Sequence, residues 1–227
     1  MEQEKAIFFS EYFWIESNPQ KEDDFFDIIV DTDLPVFIDP FLIFCSEKET
    51  YNELYANIIE YLRFLSRKSV GDVSKSEFNS YYLFHEVQET HTWFSLRNNP
   101  WKGLWEWFWK VLLNNLRKIF LNPNTTHLEK LCLVADWVGK DKISDFSANL
   151  IKWFLADYTA NISTRIPDQS KVKEFTVRRA YFNYEKNVWI DKKYKLPFYG
   201  NKYILLIPKD ILTKEDSWIN KNDLYES

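Results

Sequence analysis

EFTVRRAYFNYEKNVWIDKKYKLPFYGNKYILLIP, Glu174–Pro208, is the stretch that decides the fold. β-Branched and aromatic residues crowd it, and turn-forming Asn, Gly and Pro punctuate it, which is the pattern of strands joined by tight connections. The spacing predicts strands over EFTVRRAYFNY, NVWI and KYILLIP. It places Asp191-Lys192-Lys193 in a turn after NVWI, and Lys-Leu-Pro between the last two strands. Upstream the period changes from two residues to 3.6, so strands follow helices instead of alternating with them. The fold class is therefore α+β, with no alternating βαβ pattern. A mainly helical body over 1–164, opened by short N-terminal β segments, carries C-terminal basic antiparallel β hairpins over 165–227, packed on it as one unit.

Moving outward, FFDIIVDTD and PVFIDPFLIF read as β-rich runs separated by a bend at Leu34-Pro35. Ser46-x-x-Glu49 is spelled as a capping box opening a helix to about Lys68. Its Leu54, Ile58, Tyr61, Leu62 and Leu65 follow the helical period. After a break at Gly71-Asp72, Ser74 is placed to cap a second helix reaching about Gln88. WKGLWEWFWKVLLNNLRKIF, Trp101–Phe120, has four tryptophans in its first nine residues. On a helix Glu106, Lys110, Asn114 and Arg117 or Lys118 form a narrow polar stripe, and the tryptophans fall on the broad apolar face of a buried beam. A short helix over about Thr126–Val138 and another over KDKISDFSANLIKWFLADYT complete the body, the latter with Ser144 or Asp145 near its start.

The charge is asymmetric. Residues 1–60 carry 15 acids and 3 bases, whereas 165–214 carry 12 bases and 5 acids. Such segments face each other or address separate partners. MEQEKAIFF lacks the basic and apolar regions of a signal peptide, and no apolar run is long enough to span a bilayer, so the expectation is a cytoplasmic chain without membrane contact. Cys45 and Cys132, both in apolar surroundings, read as buried free thiols. Three histidines and no Cys-x-x-Cys give a zinc site no support. DSWINKNDLYES adds no closing element, so the chain reads as a piece of a longer protein.

Four groups of residues carry candidate chemistry. Asp31 and Asp33 share a face if extended, and Asp39 lies in the otherwise apolar VFIDPFLIF, either as a hard-oxygen ligand for a divalent metal or as an Asp-Pro turn carboxylate. In GKDKISDFSANL, Gly139, Asp141, Ser144 and Asp145 gather where a helix starts. They serve as caps, or join Asp39 in holding a metal such as Mg²⁺ or a substrate hydroxyl. Pro167-Asp168 followed by Asp191-Lys192-Lys193 spells a PD-(D/E)xK nuclease motif, in which Asp168 and Asp191 would bind Mg²⁺ and Lys193 would activate water. Finally, Arg178, Arg179, Lys186, Lys192, Lys193, Lys195 and Lys202 interleave with aromatic residues, as on a surface that neutralises phosphates and stacks bases. The alternative is a half-buried sheet guarded by lysines. The P-loop and GxGxxG patterns are absent, no serine sits in a nucleophile elbow, and His85, His91 and His127 are scattered.

At VFIDPFLIF, GKDKISDFSANLI and ILLIPKDIL the chain resembles an uncharacterised family of prokaryotic proteins with a "FIDP" segment, a "GxDxISD" segment opening a helix, and an "LP…LLxPKxIL" hairpin. Asp39, Pro40, Gly139, Asp141, Ser144 and Asp145 match its pattern over roughly residues 30–227. Its members look like mobile-element or antiviral-defence proteins, and the longer ones continue into a PD-(D/E)xK-type nuclease domain. Where that family has a Gly-rich loop before a helix, this chain reads HTWFSLRNNPWKGLW, leaving Arg97 and Lys102 as the candidate anion contacts. The resemblance and the basic end together imply a non-catalytic module binding DNA, RNA or a protein effector. The alternatives are a Mg²⁺-dependent nuclease using Asp39, Asp141 and Asp145 or the Asp168 set, and a homo-oligomer in which acidic and basic segments of two copies meet.

Overall fold

The computed structural model describes residues 6–18, 24–68, 74–82, 84, 86–92 and 140–213. The tryptophan stretch 101–120, the expected helix over 126–138, Arg97, Lys102, His85, His127, Cys132 and Gly139 lie outside the described residues. The fold is α+β. Helices α1 (Phe9–Phe13), α2 (Pro40–Cys45), α3 (Glu49–Lys68) and α4 (Lys75–Glu77) come first, and α4 runs directly into a π-helical turn over Phe78–Tyr82. Helices α5 (Lys140–Leu150) and α6 (Lys152–Ser163) follow, then strands β1 (Val172–Asn183), β2 (Val188–Tyr199) and β3 (Lys202–Tyr203) in an antiparallel sheet of order β1-β2-β3.

Helix α3 forms as its periodicity predicts. Leu54, Ile58, Tyr61, Leu62 and Leu65 are all buried, and Arg67 and Lys68 occupy the last turn, where cations favour the helix dipole. Its start differs from expectation. Ser46 follows the end of α2, and its hydroxyl accepts from Lys48 N at 3.3 Å, two residues away, so Ser46 and Glu49 form no capping box. The reciprocal box forms instead at Ser74 and Glu77, where Glu77 N donates to Ser74 Oγ and Glu77 Oε2 accepts from Ser74 N and Oγ. The helix it opens ends at Tyr82, short of Gln88.

The FIDP segment also departs from a strand. Asp39 caps α2 by accepting from Phe41 N at 2.9 Å, and Pro40 takes the first helical position, where its missing N–H costs nothing. PFLIFC is thus helical, and Cys45, at its end, is exposed. The N-terminal β-rich runs make only isolated bridges, including Phe25 to Pro208 and Ile38 to Leu212. The KDKISD helix divides into α5 and α6 at Ile151.

KYILLIP departs most from expectation. Only Lys202–Tyr203 is strand, and Ile204, Leu205, Leu206 and Ile207 thread the core at 0% exposure. Much of their backbone N–H is bonded by scattered partners. Ile204 N donates to Pro197 O, Leu205 N to Glu89 O and Leu206 N to Thr159 Oγ1, while Ile207 O accepts from Phe26 N. One continuous apolar cluster draws on the N-terminal segments, α3, α5, α6 and the sheet.

Candidate nucleic-acid interface

Strand β2 is unbroken from Val188 to Tyr199, so Asp191-Lys192-Lys193 lies within a strand and not in the expected turn. Glu174 pairs with Lys195 and Thr176 with Lys193 across the β1–β2 ladder, while Val177, Tyr194 and Leu196 are buried. The period of two therefore turns Glu174, Thr176, Arg178, Lys193 and Lys195 outward, and all five are exposed. Lys193 Nζ meets Glu174 Oε1 at 2.8 Å, a contact that raises the lysine's proton affinity. Lys192 pairs with Asp157 of α6 at 3.6 Å, and its pKa is raised, chiefly by Tyr194 beside it. Lys186 is exposed beside the β1–β2 turn, its N–H bonded to Asn183 Oδ1 at 2.9 Å. Lys202 opens β3, and its ammonium lies 3.5 Å from Gln88 Oε1.

A bulge interrupts this ladder. Between Val177 and Tyr181, β1 takes four steps where β2 takes two, from Lys192 to Ile190. Arg179 sits there with φ 51°, and its backbone N–H donates to Asp191 Oδ1 at 2.8 Å. Its guanidinium turns inward, 4.7 Å from the Trp189 ring centroid and 3.2 Å from Ser80 O, which also accepts from Trp189 Nε1 at 3.2 Å. Burial lowers its pKa against the pull of Tyr61. Arg179 therefore braces the bulge, and the outward cations are its neighbours.

The predicted carboxylates are placed apart. Asp168 caps a 3-10 turn over Gln169–Lys171, accepting from Ser170 N at 3.1 Å and Ser170 Oγ at 2.6 Å, contacts that lower its pKa. Val172 pairs with Pro197, six residues along β2 from Asp191, or about 20 Å at strand spacing. Asp168, Asp191 and Lys193 thus do not converge as a PD-(D/E)xK centre. The FIDP and ISD segments do meet: Ile38 N donates to Ser144 Oγ at 2.9 Å. Ser144 is consequently a buried bond inside α5 and not its cap. Asp39 and Asp145 flank this link, Asp39 being engaged as the cap of α2. Asp141 lies in the first turn of α5, and its side chain is outside the described residues. Asp31 is exposed, whereas Asp33 lies 3.7 Å from His91 Nδ1. Among the described residues no group of three His, Cys, Asp or Glu could hold a metal.

Sequence reasoning missed Lys152. Burial pulls its pKa down to about 8, against the carboxylates of Glu89 and Asp191 and in the same direction as the nearby Arg179 charge. Its ammonium donates to Asn149 Oδ1 at 3.2 Å. Tyr203, its pKa raised by burial and by Glu89, shares this surrounding. The signal was present as a lone lysine inside the apolar run ANLIKWFLA.

These features define the class: an α+β domain presenting a bulged, basic antiparallel hairpin over a helical body. The family model for a domain of unknown function, DUF8370, matches residues 14–220, and the chain belongs to that family. No curated protein and no solved structure matches it.

Proposed function

We propose that the domain is a recognition module of a prokaryotic antiviral-defence-type system, holding nucleic acid along the outward face of its basic hairpin without cutting it. The observation that carries this reading is the exposed set of Arg178, Lys193 and Lys195, with Lys186 and Lys202 toward the two ends of β2. Lys193 and Lys195 lie about 7 Å apart on one strand face. That is within a Debye length of about 8 Å at physiological salt, so their fields add toward a phosphate chain. Glu174 offsets part of the charge through an exposed pair that exchanges readily for phosphate. The non-cutting part is supported by the separation of Asp168 from Asp191 and Lys193 along the β1–β2 ladder.

The test is fluorescence anisotropy with labelled single-stranded DNA and RNA between about 50 and 200 mM salt. Affinity is expected to fall linearly on logarithmic axes, and the double variant Lys193→Glu/Lys195→Glu is expected to bind weakly. Its slope should be shallower by about 0.7 for each phosphate that the variant no longer neutralises. Absent or salt-insensitive binding to both strands refutes the reading. Mg²⁺-dependent strand cleavage that disappears in Asp145→Ala refutes its non-cutting part.

A further inference from the structure

Beside the hairpin, an open cleft of about 290 Å³ lies between α3, α6 and the strands. This is the lower edge of the size range of ligand pockets, enough for one ring system. Its walls include Trp153, Tyr181, Tyr184 and Trp189, and its polar side chains are Asn57 and Lys192. The walls are held by hydrogen bonds and ring contacts. Tyr184 Oη donates to Asn57 O at 3.3 Å, and Trp189 Nε1 donates to Ser80 O. The Trp189 ring is backed by Phe182 and Tyr61 at 5.3 and 5.4 Å. Tyr181, by contrast, remains 39% exposed.

Such walls select a flat, π-rich ligand, and Lys192 selects one that also carries negative charge. An ammonium ligand would suit the rings alone but would be repelled by Lys192. The Lys192–Asp157 pair at the cleft is about half exposed on both sides, at 48% and 50%, so phosphate can replace the carboxylate at little cost. We propose that this cleft is a nucleobase pocket, in which an unpaired base, from a single strand or a free nucleotide, stacks among Tyr181, Trp189 and Trp153 while its phosphate meets Lys192. For the strand source this inference rests on the proposed nucleic-acid reading. It adds that the strand is single and that one base is extracted from its stack.

The experiment compares an oligoadenylate with an abasic strand of equal length, and uses AMP as the free-nucleotide probe. Tyr181→Ala is expected to weaken the base-bearing strand about tenfold, the scale of one base–aromatic stack. It should leave the abasic strand unchanged, while Tyr181→Phe retains wild-type binding. Lys193→Glu/Lys195→Glu, lying outside the cleft, weakens both strands. Tyr181-dependent AMP binding without strand binding upholds the pocket and removes the strand reading. Where the strands bind, the pocket is overturned if Tyr181→Ala affects both equally or neither. It is also overturned if tetramethylammonium, and not AMP, binds in a Tyr181-dependent manner, or if neither strand nor AMP binds. The strand reading is then judged by Lys193 and Lys195 alone.

Discussion

Replacing Thr159 with valine isolates one hydrogen bond of the buried 204–207 segment. Thr159 is 0% exposed, and its hydroxyl accepts from Leu206 N at 2.8 Å while donating to Leu155 O at 2.6 Å. Valine replaces the hydroxyl with a methyl of similar size, so it opens no cavity. What it removes is the acceptor for Leu206 N–H, in a residue that is itself 0% exposed and beyond the reach of solvent. An orphaned buried donor costs about 1–3 kcal/mol. Thr159→Ser keeps the hydroxyl and loses one buried methyl, worth roughly 0.8 kcal/mol. The expected order, wild type above serine above valine, inverts the hydrophobic ranking of the two substituents. Urea denaturation measures it through midpoints at a common slope. Valine as stable as wild type, or more stable than serine, would refute the account of how this segment is held.

Three further outcomes follow from the same structure. Ser144→Ala leaves the buried Ile38 N–H without its acceptor and should cost about 1–3 kcal/mol, read as a Tm fall of about 2–4 °C per kcal/mol. Gly200 turns β2 into β3 at φ 58° with open space around its Cβ position, so Gly200→Ala should cost only the left-handed penalty of about 1–2 kcal/mol, measured by the same melt. Lys152, with its pKa lowered to about 8 from 10.5, binds fewer protons folded than unfolded across that interval, so its contribution to stability rises with pH from about 8 to 10.5. Amine acylation followed by mass spectrometry should show Lys152 gaining reactivity near pH 8, well below the roughly 10.4 of an ordinary lysine. A midpoint near 10 would contradict its burial.

What was legible in the sequence was whatever depended on local period. The α+β order, the α3 face and the basic hairpin all follow from spacing that a residue and its near neighbours fix. Three features were not legible, for distinct reasons. The run ILLIP has strand composition, but its bonding partners are Glu89, Thr159 and Phe26, which only tertiary placement supplies. FIDPFLIF looks extended because its apolar residues are contiguous, yet Asp-Pro is also a helix opening, and Asp39 decides in favour of the cap. The bulge at Arg179 has no glycine to announce it: an arginine holds the left-handed position, secured by Asp191 across the ladder. At the candidate site the cations were visible one by one. Their division into braces and outward-facing charges was not, because it depends on that bulge.

The charge asymmetry, finally, is divided between contacts within the chain and an exposed face. Part of it is satisfied within one chain. Lys48 pairs with Asp210, and Lys209 reaches Ser17 Oγ at 3.1 Å and Asn18 O at 2.8 Å beside Asp24. Lys171 donates to Tyr12 O at 2.7 Å, with its ammonium 4.1 Å from the Tyr12 ring centroid. Lys171 and Lys209 thus serve to dock the acidic N-terminal segments against the sheet end, and they are poorly placed to meet a ligand. Of the hairpin's bases, Lys193 is paired with Glu174 of the neighbouring strand, and Arg178, Lys186 and Lys195 share its exposed surface. On the proposed reading, the charge left on that exposed face is what a polyanionic partner would meet.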